Sequence, residues 1–189
     1  SWRYQVTWTP LTDPPAGRLS GTWLVVAAAP DEAVTRALTD GGAAVVELVI
    51  GDAHRDRGTL RNLVANPSDL AGVVLLAGSD VAVMLTLVQA LSDAGVEAPL
   101  WALTRGAVSV GRSDPIDNPA QAMVWGMGRV AALEYPRRWG GLVDLPSTWD
   151  TRTGAWLVTV LSGASGEDQV ALRGAAAYGR RLTRATAPR

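Results

Sequence analysis

The chain has 189 residues, 48% of them hydrophobic and 19% charged, with a formal net charge of -1 and a pI near 5.8. A chain this long buries about 70% of the surface it exposes when unfolded, so a real core is expected, and the near-neutral charge gives no global pull toward nucleic acid or an anionic membrane. There is no Cys and all 17 cationic side chains are Arg, which excludes disulfide scaffolds, thiolate catalysis, Cys-based zinc sites and any chemistry that needs a lysine from this chain.

Trp2, Tyr4, Val6 and Trp8 alternate with Arg3, Gln5, Thr7 and Thr9, the period of a strand with one apolar face. Pro10, Pro14 and Pro15 end it, and a loop runs to Ser20. This alternation is not the charged-then-apolar pattern of a secretory leader, and no run of apolar residues is long enough to span a bilayer, so a cytoplasmic chain without membrane contact is expected. Residues 22–28 hold the apolar run Trp23, Leu24, Val25 and Val26, as in a strand covered on both faces. Pro30 and Asp31 open a short helix through Leu38, closed by Gly41 and Gly42. Residues 43–50 read as a second buried strand, 51–58 as a polar loop, and Thr59 to about Ala65 as a helix stopped before Pro67. A third buried strand covers 70–77. Ser79 or Asp80 then caps a helix whose stripe is Val81, Met84, Leu85, Val88 and Leu91, with Gly95 as its stop. A fourth strand covers 100–104. After a loop with Gly106, Gly111 and Pro115, Asn118 caps and Pro119 takes the first helical position of a helix through Met123, Trp125, Met127, Val130 and Leu133. A fifth strand at 141–145, a helix at 149–161 ended by residues 163–166, and an antiparallel pair at 169–173 and 176–183 complete the chain.

Buried strands alternating with helices specify β-α-β units, a parallel sheet and right-handed crossovers. The expected class is therefore α/β: a truncated, Rossmann-like, doubly wound, mostly parallel sheet with antiparallel terminal strands. Residues 1–189 are expected to form a single subdomain, with an N-terminal strand and linker at 1–19, a Rossmann-like core at 20–165, and C-terminal strands and linker at 166–189.

The chemistry such a sheet usually carries is missing from the sequence. A dinucleotide-binding turn needs glycines so that the backbone can approach the pyrophosphate at a helix N-terminus. Here the turn is Ala27-Ala28-Ala29-Pro30, where methyl groups replace hydrogens and Pro30 removes an amide donor. A P-loop and the Tyr-x-x-x-Lys pair of short-chain reductases both need Lys, so Tyr4, Tyr135 and Tyr178 have no lysine partner. His54 lies in Asp52-Ala53-His54-Arg55-Asp56-Arg57. A metal or acid–base site with Asp52 and Asp56 is one reading. Arg55, Arg57 and Arg61 crowd that stretch and no second His exists, so a solvated polar loop is expected. Ser165 misses the spacing of a nucleophile elbow and reads as a turn. Arg173, Arg180, Arg181 and Arg184, with Arg189, make a basic end, read as an exposed strand face in preference to a nucleic-acid contact. Of eight Trp residues, Trp23, Trp101, Trp125 and Trp156 are placed in the core instead of a stacking platform. Gly126 and Gly128 each cost a helix about 1 kcal/mol relative to Ala. Close approach of another helix would offset that cost, and a tight crossing onto the chain's own sheet is the alternative. No catalytic, cofactor-binding or metal residue is assigned.

The stretch 100–146 carries a resemblance. It reads Leu100-Trp101-Ala102-Leu103-Thr104-Arg105-Gly106-Ala107, then Asn118-Pro119-Ala120-Gln121, then Trp125-Gly126-Met127-Gly128-Arg129-Val130, then Glu134-Tyr135-Pro136, then Trp139-Gly140-Gly141-Leu142-Val143-Asp144-Leu145-Pro146. Support comes from residues 4–10, from Gly21-Thr22-Trp23-Leu24-Val25, from Gly166-Glu167-Asp168-Gln169 and from Tyr178-Gly179-Arg180-Arg181-Leu182. Over essentially its whole length the chain resembles the N-terminal structural subdomain of the ketoreductase domain of bacterial modular type I polyketide synthases. The resemblance implies a non-catalytic half that scaffolds a catalytic half. That second half would follow about where this sequence stops, at Arg189, and would hold NADPH and the catalytic Ser, Tyr and Lys. The completed unit would reduce the β-ketone of an acyl chain on a carrier protein. The implied partners are the catalytic half in cis, the acyl carrier protein and other synthase domains. The family usually has a longer loop where only Gly78-Ser79-Asp80 stands here. The rival expectation is an independent nucleotide- or methyl-donor-dependent enzyme, its ligand near residues 27–30 and 77–80.

Overall fold

The computed structural model describes residues 2–12, 16–66, 69–174 and 176–185. Pro14, Pro15, Pro67 and the tail after Ala185, to which breaks and a linker were assigned above, lie outside the described residues. In chain order the elements are β1 Tyr4–Pro10, β2 Thr22–Ala27, α1 Glu32–Asp40, β3 Ala44–Val49, α2 Arg57–Val64, β4 Leu70–Leu76, α3 Val81–Asp93, β5 Leu100–Arg105, α4 Ala122–Glu134, β6 Trp139–Leu145, α5 Thr151–Leu161, β7 Gln169–Arg173 and β8 Ala176–Arg184.

Alternation along the strands decides how the layers form. In β2, Trp23 and Val25 join the core under α1 and α5, while Leu24 and Val26 join the core under α2, α3 and α4. Successive side chains point to opposite faces, so an unbroken apolar strand demands cover on both sides. Both covers are present. Val34, Leu38, Trp156 and Leu157 close one face, and Leu60, Met84, Leu87, Val124 and Trp125 close the other. All eight strands form one sheet in the order β1-β8-β7-β6-β5-β4-β2-β3. The pairs from β3 through to β7 are parallel. The β7–β8 and β8–β1 pairs are antiparallel. The expected doubly wound, mostly parallel sheet with antiparallel terminal strands is therefore what the chain forms. Its direction of growth reverses at β2, which has β3 on one side and β4 on the other. At the far edge the two ends of the fold meet, where the Ala185 N–H donates to the Arg3 carbonyl at 2.9 Å.

Carboxylates start most of the helices. Asp31 accepts from the Val34 N–H at 3.1 Å, Asp56 from Thr59 at 2.8 Å, Asp80 from Ala82 at 3.1 Å, and Asp150 from Thr153 at 2.7 Å. Asp80, not Ser79, caps α3. Asn118 does not cap α4. Its amide donates to the Arg105 carbonyl at 2.8 Å, and residues 119–121 form a 3-10 turn before the α-helix begins.

The second strand corrects its reading. β3 was expected to be buried, yet Ala44, Val46, Glu47 and Val49 are exposed. Its apolar run looks like a central strand, but the topology puts it at the sheet edge, where cover is incomplete. The two α4 glycines also separate. A Cβ at Gly128 would stand 2.7 Å from Leu142 and 2.9 Å from Trp139, so Gly128 serves the crossing onto the chain's own sheet. A Cβ at Gly126 meets nothing within 4 Å.

Gly128→Ala should therefore lower stability by about 1–3 kcal/mol through overpacking. Gly126→Ala should raise it by up to about 1 kcal/mol through helix propensity. Opposite shifts of the urea midpoint are the expected result, and equal shifts would contradict the crossing.

Hydrogen bonds from Thr153 hold the Asp150 carboxyl below its ordinary value, and those from Thr59 do the same for Asp56. Each contributes stability above the unfolded carboxylate pKa of about 4, and loses it as pH falls through the lower folded value. Asp150→Asn should lower stability near neutral pH and change it least in acid, which flattens the acid limb of a stability–pH curve.

Candidate functional site

In a doubly wound sheet, ligands sit beyond the carboxyl ends of the strands where the strand order reverses. Here that place is a crevice of about 230 Å³ lined by Ala27, Ala28, Ala29, Pro30, Asp31, Leu76, Ala77, Gly78, Thr104, Arg105 and Gln121, among others. Arg105 crosses it. Its guanidinium donates to Asp31 Oδ2 at 2.9 Å and to the Pro146 carbonyl at 2.7 Å, and its backbone N–H donates to Gln121 Oε1 at 2.9 Å. Asp31 thus has two duties: one oxygen caps α1 and the other holds Arg105. A pyrophosphate placed at the α1 N-terminus would meet a carboxylate that already satisfies the helix, three methyl groups, and a proline without an N–H. These residues do not fit a dinucleotide.

Beneath Arg105 lies a buried polar network. Asp144 is 0% exposed. It accepts from Thr104 Oγ1 at 2.6 Å, from the Ala107 N–H at 2.8 Å and from Arg173 Nη2 at 2.8 Å. Trp125 Nε1 donates to the same Thr104 hydroxyl at 2.9 Å. Arg173 also forks onto Asp114, 2.8 and 2.9 Å from its two oxygens, and reaches the Val108 carbonyl at 2.8 Å. Burial alone would lower the Arg173 pKa, but Asp114 and Asp144 outweigh it and hold it above its ordinary value. Asp144 and Arg173 are paired with the protein itself, so the network binds the loop after β5 to β6, β7 and α4. Arg173 is thereby removed from the exposed strand face to which it was assigned.

The remaining candidates resolve locally. His54 Nδ1 accepts from the Gly51 N–H at 3.2 Å, while Arg55 pairs with Asp52 and with Asp80. No cluster of three His, Cys, Asp or Glu able to hold a metal occurs among the described residues. Ser165 accepts from the Glu167 N–H at 3.3 Å in a turn flanked by Gly163 and Gly166, both with positive φ. Arg181 pairs with Glu167 at 2.7 Å. Trp23, Trp101, Trp125 and Trp156 are buried. The sequence reading missed both the Arg105–Asp31 and the Asp114–Arg173–Asp144 connections. Their partners are 74, 59 and 29 residues apart, too far for any local spacing to signal.

A second surface stands out by exposure. In the β1–β8 ribbon, Tyr4, Val6 and Trp8 face one way and lie opposite Arg184, Leu182 and Arg180. Trp8 packs edge-on against Trp125 of α4, with ring centroids 5.7 Å apart. Tyr4, Val6 and Leu182 on the ribbon, and Met123, Val130 and Leu133 on α4, are exposed, Leu133 by 82%. Half of the exposed large apolar side chains among the described residues are on these two elements.

The fold and this surface define a Rossmann-type α/β unit with an unpartnered apolar side. Residues 6–182 match the family described as the Rossmann fold domain of the polyketide synthase extender module SpnB, and the chain belongs to that family. It is 51% identical over 207 residues to polyketide synthase GfsA of Streptomyces halstedii, covering 97% of this chain and 3% of that protein. It is 49% identical over 187 residues to pikromycin synthase component PikAIII of Streptomyces venezuelae, covering 97% of this chain and 12% of that one. Among solved structures, a C2-type ketoreductase from a modular polyketide synthase superposes with a TM-score of 0.84 at 46% identity, over 99% of this chain and 45% of that one. An A-type ketoreductase superposes with a TM-score of 0.86 at 40% identity, over 98% and 43%. The chain thus corresponds to the N-terminal structural subdomain of a modular polyketide synthase ketoreductase and spans less than half of the solved ketoreductase chains.

Asp144→Ala should cost about 3 kcal/mol or more, because it leaves the Thr104 hydroxyl, the Ala107 N–H and one arm of Arg173 without their buried acceptor. Arg105→Met should cost no more than about 1 kcal/mol, because its ion pair is open to solvent. Urea unfolding of the two variants checks the order, and a larger loss at Arg105 would contradict it.

Proposed function

We propose that this chain is the non-catalytic structural half of the ketoreductase, and that it braces a catalytic half which binds NADPH and reduces β-ketoacyl groups carried on an acyl carrier protein. Residues 1–189 act as one subdomain without catalytic, cofactor-binding or metal residues of their own. The partners are the catalytic half in cis, the carrier protein and other domains of a cytoplasmic, antibiotic-type synthase. Neither nucleic acid nor membrane is among them, and no helix among the described residues is long and apolar enough to cross a membrane.

The observation that carries the proposal is the contrast between the two surfaces. The crevice where a coenzyme would sit is crossed by Arg105 in its pair with Asp31, while apolar side chains stand uncovered on the ribbon and α4. Contiguous exposed apolar area on a folded unit marks an interaction surface. α3 contributes less than its sequence stripe suggests, since Met84, Leu87, Val88 and Leu91 are spent on the core and Leu85 is left outside. The outer edge of β1, last in the sheet, is open to a further strand. The relatives do not favour an independent enzyme, since the match to ketoreductases runs over 99% of the chain.

Thermal-shift measurements on the chain with NADPH, ATP and S-adenosylmethionine should show no stabilisation. A ligand at 100 times its dissociation constant would add about 2.7 kcal/mol. Micromolar NADPH binding, or reduction of a β-keto thioester by the chain alone, would refute the reading.

A further inference from the structure

We infer that Arg129 and Arg180 form a two-arginine clamp for a carboxylate that the catalytic half supplies. The inference rests on the scaffold reading and adds the chemistry of the contact.

Register and helix periodicity bring the two arginines together. Arg180 lies opposite Trp8 in the β1–β8 ladder, and cross-strand partners point to the same side. Trp8 touches Trp125, and Arg129 follows Trp125 by about one helical turn on α4. The two guanidiniums are near enough that Arg180 is pushed below its ordinary pKa, first by burial and then by Arg129, with only Asp168 opposing. The hydrogen-bond partner of Arg180 is neutral, Gln169 Oε1 at 3.2 Å. Arg129 is exposed and makes no hydrogen bond or ion pair among the described residues. Their neighbours differ: Arg55, Arg57, Arg105, Arg138, Arg173 and Arg181 each hold a carboxylate of this chain.

Among the described residues neither arginine is in ion-pair contact with a carboxylate, so two like charges stand at the junction of the ribbon and α4, beside exposed apolar side chains. Covering that surface removes water from both guanidiniums. An apolar partner would make this costly, whereas a carboxylate between them converts repulsion into paired, charge-assisted hydrogen bonds. The occupant is the rest of the ketoreductase chain. This chain accounts for 45% and 43% of the ketoreductases it superposes on, and β8 leads out across this same face.

The test uses the intact two-half ketoreductase. Arg129→Gln and Arg180→Gln should each lower Tm by roughly 2 °C or more. The double variant should lose less than the sum, because both arginines share one carboxylate. An unchanged or raised Tm would overturn the clamp, since removing one charge of an unneutralised pair relieves repulsion. Photo-crosslinking separates this proposal from the one beneath it. With p-benzoylphenylalanine at position 129 and, separately, at 182, both adducts should fall in the catalytic half, the first on a peptide containing Asp or Glu. If the position 182 adduct falls there but the position 129 adduct lies on a peptide without an acid, the clamp fails and the scaffold reading stands. If both adducts fall on a second copy or on the carrier protein, both readings fail.

Discussion

Two guanidiniums hold the carboxyl ends of the strands in place. Arg105 at the end of β5 pins the α1 N-terminus through Asp31, and Arg173 at the end of β7 pins the long loop after β5 through Asp114 and Asp144. Without Arg173, the loop after β5 would lose its side-chain ties to β7. The Arg173 cluster is largely buried and hydrogen-bonded within the chain, so its role is geometric: it ties β5, β6, β7 and α4 together. Buried ionic groups of this kind cost desolvation energy and are tolerated only when fully satisfied.

Much of the fold was legible from residue pattern. Apolar runs marked the strands, and Asp31 and Asp80 marked two helix starts, because a strand buried on both faces and a helix with orphan amides each need particular residues, while the Asp56 and Asp150 caps went unread. Position within the sheet was not legible. β3 and β4 carry similar runs, yet one lies at an edge and the other in the middle, a difference set by crossovers and not by composition. The role of Asn118 was misjudged for a related reason: its amide had a better partner in the Arg105 carbonyl than in the turn it precedes.

The candidate site was legible chiefly through what the turn lacks. Three alanines and a proline at residues 27–30 carry no phosphate-binding geometry, and that can be read without coordinates. The pair that crosses the crevice could not be read, because Arg105 and Asp31 belong to different β-α units. The two glycines of α4 show the same limit. Both looked like openings for a neighbour, but Gly128 is used by Leu142 and Trp139 of the chain itself, and Gly126 alone faces outward.

The bond between Ala185 and Arg3 gives the fold a single doorway. Arg3 and Ala185 sit side by side on one sheet margin, so a segment inserted or joined at either residue would emerge beside the other. Seams placed at those two residues would cut between the paired ends and leave the sheet interior intact.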